Sequence, residues 1–262
     1  MQKFIILNII VLLLLTSCLS TDVVEVEMPY DEFIVVQSTL KKDSLFSGVR
    51  FTKTLSLNEP YNINNAELND VTAYLLIDET VTIPLHYSEK GLYLPLYPHT
   101  VKGGSLYELF AQHSDTKIYS RTFVPDSIIV KSSKLTSEGF VRSEVKGKEN
   151  NVYGSIWETF QSYPPISASE FFSIVPSESK DNQFIDVRTT LVPDEYLDRT
   201  LYVRIYAFDK FYREYFQSKG NNQSDSLFSN VTSPNWNINS STPTVIGLFI
   251  GMDKSKPLNV SK

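Results

Sequence analysis

The sequence predicts a mainly β protein: an N-terminal immunoglobulin/fibronectin-like β-sandwich (31–125), then a second β-rich domain (126–262) with one amphipathic helix near 209–219. Three observations predict it. From Phe33 onward, apolar residues alternate with polar ones at a period of two, the signature of half-buried strands. Turn-forming clusters recur at short intervals, so no long helix fits between them. Fifteen Tyr and sixteen Phe supply the large side chains that suit pleated sheet faces.

The chain opens with a different pattern. Lys3 and the α-amino group form a positive n-region, and Phe4 to Leu15 follow as twelve residues interrupted only by Asn8. As a helix this run rises about 18 Å at ~1.5 Å per residue, short of the roughly 30 Å hydrocarbon core. It reads as a secretory signal segment, 1–17, and not as a membrane span. Leu15-Thr16-Ser17-Cys18 then presents an aliphatic residue, two small residues and the only cysteine of the chain. That is the pattern at which bacterial lipoproteins are cut, between Ser17 and Cys18, and acylated on the Cys18 thiol. Two or more acyl chains give stable anchoring at about 0.8 kcal/mol per buried methylene. Residues 18–30 form the acidic tether. Leu19, and not Asp, follows Cys18, which favours the outer membrane; the leaflet, periplasmic or surface-exposed, stays open.

In the first half, Phe33 to Thr39 reads as a β-branched strand. Val49, Phe51, Leu55 and Leu57 lie on one face of the next, with polar residues between them. Val71 to Ile77 and Val81 to Tyr87 flank an Asp78-Glu79 turn, and Gly91 to Leu96 follows, with Pro95 suggesting an edge. Leu106 to Gln112 and Lys117 to Val124 flank Ser114-Asp115-Thr116 as a hairpin. Pro125-Asp126-Ser127 marks the boundary.

The second half resumes with strands over Ile128 to Lys131, Phe140 to Val145, Val152 to Phe160, Phe171 to Val175, Phe184 to Leu191 and Leu201 to Ala207. Asp209 is placed to cap a helix whose aromatic stripe is Phe211, Tyr212, Tyr215 and Phe216, with Gly220 at its C-terminal stop. The stripe is expected to pack on the sheet. Gly220 to Asn239 reads as a polar loop carrying Trp236, long enough to be functional or mobile. Val245 to Met252 closes the domain, and the tail from Asp253 is polar and expected to fray.

Charge excludes one class of partner. Removing residues 1–17 takes away Lys3 and no acid, moving the formal charge from −6 to −7, with no Lys/Arg block. Such a chain lacks the footprint of a nucleic-acid binder. With Cys18 lipidated, no disulfide forms within the chain. The sequence holds no nucleophile elbow, zinc-protease motif, phosphate loop or dinucleotide fingerprint, and no cofactor is expected. His86, His99 and His113 sit thirteen and fourteen residues apart and are expected at separate positions, not on one metal. Asp194 with Glu195 and Glu144 with Glu149 are the nearest approach to a hydrolase carboxylate pair. Asp-Ser-aliphatic occurs at Ser44, Ser127 and Ser226, a motif some Gram-negative bacteria O-glycosylate.

Several short stretches together resemble an uncharacterised domain-of-unknown-function family of Gram-negative outer-membrane lipoproteins, often encoded near TonB-dependent receptors. They are Cys18, Thr122-Phe123-Val124-Pro125, Asn150-Asn151-Val152-Tyr153, Phe211 to Gln217, and Asn230-Val231 with Gly247-Leu248-Phe249. The chain departs from that pattern where Thr232 to Ile246 separates the last two elements. The resemblance implies a β-rich lipoprotein accessory to surface transport, with a TonB-dependent β-barrel receptor as partner and no catalytic residues. Trp236, Tyr212 and Tyr215 are the candidate contact residues. Two alternatives stand beside this non-enzymatic accessory role: a surface glycan- or peptide-hydrolysing enzyme, and a structural or adhesive surface protein.

Overall fold

Seventeen strands and three short helices make up the described residues of the computed structural model, so the mainly β expectation holds. The description covers residues 30–56, 58–161, 164–177, 183–221 and 237–262, without the side chains of 219–221. Glu32–Lys262 form one compact unit.

The first seven strands are β1 (Ile34–Lys41), β2 (Val49–Lys53), β3 (Thr72–Ile77), β4 (Val81–Glu89), β5 (Leu92–Pro95), β6 (Leu106–His113) and β7 (Thr116–Phe123). Tight turns set their register. Asp78 and Glu79 take φ of 48° and 57°, and Ser114 takes 49°, the left-handed geometry of two-residue hairpin loops. Alternation then buries one face: Ala73, Leu75 and Ile77 of β3, Tyr107, Leu109 and Ala111 of β6. Pro95 does not mark an edge. The strand β5 lies between β2 and β4, and the proline is tolerated because it is the last residue of the strand. A one-turn helix, α1 (Ile63–Ala66), links β2 to β3.

The next strands are β8 (Val130–Leu135), β9 (Phe140–Lys146), β10 (Asn151–Thr159), the two-residue β11 (Ile166–Ser167) and β12 (Val175–Pro176), and β13 (Phe184–Leu191). The one-turn α2 (Asp194–Leu197), β14 (Tyr202–Asp209) and α3 (Tyr212–Asn221) follow. The chain ends with β15 (Ile238–Ser240), β16 (Val245–Lys254) and β17 (Leu258–Asn259). Fourteen strands join one sheet in the order β11-β10-β14-β16-β1-β2-β5-β4-β3-β6-β7-β15, with β12 on β10 and β17 on β14. A separate sheet, β13-β9-β8, covers the inner side of β10 and β14.

Two cores result. The first gathers Val36, Phe51, Leu75, Tyr93, Tyr107 and Leu109 with neighbours from β1 to β7. The second gathers Val141, Tyr153, Trp157, Val187, Val203 and Ile205. The changeover falls near Pro125, but the C-terminal stretch crosses back: Ile238, Val245 and Phe249 belong to the first core. The route is a parallel pairing of β16 with β1 from Ile34↔Val245 to Lys41↔Met252. Gly247 makes that approach, at φ +137°, with a Cβ there falling 2.0 Å from the Val36 carbonyl oxygen.

Several smaller expectations are corrected. Of Phe171 to Val175, only Val175 is in a strand, the two-residue β12. Phe171 instead enters a third cluster with Val152, Ile174 and Phe208, and Gly154 beneath it leaves room for its ring. Asp209 ends β14 and caps the helix with one carboxylate oxygen only: Oδ1 accepts from Phe211 N–H at 3.5 Å, while Oδ2 is taken up by β7. Gly220 lies inside α3, not beyond it. The end of the polar loop is a strand, β15 on β7. The tail does not fray: β17 pairs with β14, and Ser261 N–H donates to Ser133 O at 3.0 Å.

Buried tyrosines explain part of the aromatic count. Tyr107 Oη accepts from Lys102 N–H at 2.8 Å, and Tyr153 Oη accepts from Lys148 N–H at 3.1 Å, each five residues upstream. Tyr93 Oη accepts from Val71 N–H and donates to Leu68 O. Each ring fills a core while its hydroxyl holds a loop, so none of these three hydroxyls is stranded.

Candidate functional site

Of the sites expected from sequence, Ser17, Cys18 and Trp236 lie outside the described residues. Tyr212 and Tyr215 are on α3. Tyr212 stacks on Phe208 with ring centroids 3.8 Å apart, and burial pushes its hydroxyl up to about 12. Its ring is committed to packing, as expected for the stripe. Tyr215 is half-buried and lines a shallow groove with Gln37, Thr39 and Leu248 of the β1/β16 face.

The histidines are apart in their contacts. His99 Nε2 meets Tyr107 Oη at 2.9 Å, and burial, with Lys102 second, lowers its pKa. His113 pairs with Asp70 at 3.1 Å, and His86 is exposed. No group of three metal-ligating side chains occurs among the described residues. Glu144 is engaged by Ser132 and Lys131, which hold its carboxyl below the usual range. Asp194 and Glu195 sit in the first turn of α2, where the helix N-terminus favours negative charge.

A well-formed open site lies elsewhere, on the outward face of β3, β6, β7 and β15. Because these four strands are neighbours, side chains at the exposed parity line up in rows across them. One row is Tyr74, Phe110, Tyr119 and Asn239, fixed by the pairings Tyr74↔Phe110, Phe110↔Tyr119 and Asn239↔Tyr119. The next is Thr72, Gln112 and Lys117, with Ser241 beside Lys117 through two hydrogen bonds. Together they bound a groove of about 480 Å³. That volume is within the few-hundred to ~1,000 Å³ range of ligand sites.

Tyr74 and Phe110 are stacked, with centroids 5.0 Å apart and planes 12° apart; Phe110 and Tyr119 are also 5.0 Å apart but tilted by 51°. The tilt opens a wedge in the aromatic row. Tyr119 Oη donates to Glu108 Oε1 at 2.6 Å, which fixes the ring, and burial and that carboxylate both raise its pKa. Gln112 donates to Ser114 O, leaving its amide oxygen for another donor. Thr72, Lys117 and Asn239 make no side-chain hydrogen bond or ion pair to another described residue. The groove therefore offers ring surface and the Asn239 amide in one row, and the Gln112 amide oxygen with a hydroxyl and an ammonium group in the other.

The sequence reading did not single out Tyr74, Phe110 or Tyr119. A signal existed: each falls at the exposed parity of its strand, where alternation calls for a polar residue. Their alignment into a row depends on strand order and register, which sequence patterning does not give.

A second cleft runs along the seam between the two cores, lined by Arg121, Thr122, Glu149, Asp209 and Lys210. Its buried Asp209 accepts from Thr122 Oγ1 at 3.0 Å and from Phe123 N–H at 2.6 Å. Thr122 Oγ1 in turn accepts from Gly251 N–H at 2.8 Å. This is structural chemistry, joining β14, β7 and β16. Comparison of the chain with protein-family models and with curated proteins gave no match in either.

Proposed function

We propose that this chain is a non-enzymatic lipoprotein of a Gram-negative outer membrane, serving as a binding or accessory subunit of a surface transport system. The observation that carries the binding role is the groove across β3, β6, β7 and β15, where rings and uncommitted polar groups face outward together. A contiguous exposed aromatic surface rimmed by polar residues marks an interaction site. The tether is supported by the Leu15-Thr16-Ser17-Cys18 pattern behind a short apolar run, with acylation at Cys18 as the anchor.

The transport association and a TonB-dependent β-barrel partner rest on the family resemblance. Residues from three of the stretches that carry that resemblance line the seam cleft: Thr122 and Phe123, Asn150, and Phe211. The proposal includes an immunoglobulin/fibronectin-like reading of the first core. Antiparallel strands and the Tyr107 hydroxyl pinning a loop five residues upstream support it.

The test is a pull-down from detergent-solubilised membranes with the native lipoprotein as bait. Recovery of a β-barrel receptor is expected, and recovery of no envelope partner contradicts the accessory role.

A further inference from the structure

We propose that the groove over β3, β6, β7 and β15 binds an oligosaccharide chain, which packs its C–H groups against the exposed surface of the Tyr74, Phe110 and Tyr119 row and is hydrogen-bonded by Gln112, Asn239, Thr72 and Lys117. The inference rests on the binding role proposed above and names the ligand class of that site.

The chemistry of the two rows selects the ligand. A sugar ring carries C–H groups that pack on aromatic surface and hydroxyls at its rim that give and accept hydrogen bonds. The groove supplies both kinds of partner side by side: three aromatic rings in one row, amide, hydroxyl and ammonium groups in the other. Across four adjacent strands the rows extend three strand spacings, about 14 Å at ~4.8 Å each. A groove of that length that opens along the sheet face suits a chain and not a compact metabolite.

Other occupants fit less well. An extended peptide binds a sheet by pairing with a free strand edge. Here β3, β6 and β7 are each hydrogen-bonded on both sides, and the sheet ends in β15, only three residues long, so an extended peptide finds little edge to pair with. A lipid or other wholly apolar ligand would cover Gln112, Lys117 and Asn239 without replacing their bonds to water, which is unfavourable. A nucleic acid would need a basic groove, and Lys117 is the only cation in this lining, in a chain of net charge −6.

The register also separates the roles of the residues. Tyr74 is 39% exposed, so it can be removed without opening the core. Gln112, in the neighbouring row, and Asn239, at the end of the aromatic row, are exposed and lie on two different strands. Contact with all three requires a ligand lying across the strands.

Isothermal titration of the full chain in detergent micelles tests this with maltohexaose, xylohexaose, laminarihexaose, chitohexaose and hexagalacturonate. At least one of these glycans is expected to bind, more tightly as a hexamer than as the matching dimer. Tyr74→Ala should weaken that binding about tenfold, corresponding to the loss of ~1.4 kcal/mol of ring contact. Gln112→Ala and Asn239→Ala should each weaken it several-fold, with melting temperatures near that of the parent chain. Binding of none of the five glycans overturns the proposal. So does binding left unchanged by Tyr74→Ala and Gln112→Ala. Because titration uses the purified chain, its outcome is independent of the pull-down: glycan binding without an envelope partner would remove only the accessory role.

Discussion

Asp209 and Phe123 are joined by a 2.6 Å hydrogen bond from the Phe123 N–H to the Asp209 carboxylate, linking the last residue of β14 to the last residue of β7. Asp209 is only 4% exposed, and burial is the main reason its pKa lies above the ordinary carboxylate value. A raised pKa means the folded chain holds the proton more tightly than the unfolded one. This group's contribution to stability is therefore greatest below the unfolded value of about 3.9, and is lost as pH rises through the raised folded value. Urea unfolding against pH, compared between the parent chain and Asp209→Asn, should show that fall in the parent alone. Asp209→Ala should cost about 2 kcal/mol by stranding Phe123 N–H and Thr122 Oγ1.

Asn237 makes the neighbouring connection. Its side chain donates to Arg121 O of β7 and to Phe249 O of β16, and accepts from Phe249 N–H at 3.1 Å. One amide stands in for a strand between β7 and β16 and closes the first core on itself. Asn237→Ala should lower stability by about 2–4 kcal/mol, since three backbone groups, two of them buried, lose partners. Thermal denaturation measures it, and Asn237→Asp should also be unfavourable because a carboxylate cannot donate to the two carbonyls.

Gly247 sets how close β16 lies to β1. Substitution by Ala would place Cβ 2.0 Å from Val36 O at a φ of +137°, so the parallel pairing would have to separate. Gly247→Ala should cost about 3 kcal/mol or more. Hydrogen exchange should then show reduced protection in β1 and β16 before it shows any change in β9 and β13, which belong to the second core.

Much of the architecture was legible because strand periodicity is local. Phe184 to Leu191 and Phe140 to Val145 need no distant information to be recognised, and the turn at Asp78-Glu79 declares itself by composition. The errors came where distant contacts decide. The pairing of Ile34 with Val245 spans nearly the whole chain, and nothing near either residue announces it. Asp209 before an aromatic helix has the look of a cap, and one oxygen does accept from Phe211 N–H, yet the other serves Phe123, 86 positions away, a contact that nothing nearby in the sequence announces. Two-residue strands such as β12 and β17 are below the length at which a period can be read. The groove was the least legible feature. Tyr74, Phe110 and Tyr119 are separated by dozens of residues in one case and are ordinary strand aromatics one by one. Only the strand order makes them a row.

The function proposed for this chain depends first on lipid at Cys18. Metabolic labelling with a palmitate analogue, followed by membrane fractionation, tests it most directly. The parent chain should carry label and sediment with outer membranes, and Cys18→Ser should carry none and leave them. Equal labelling of the two chains would contradict the account.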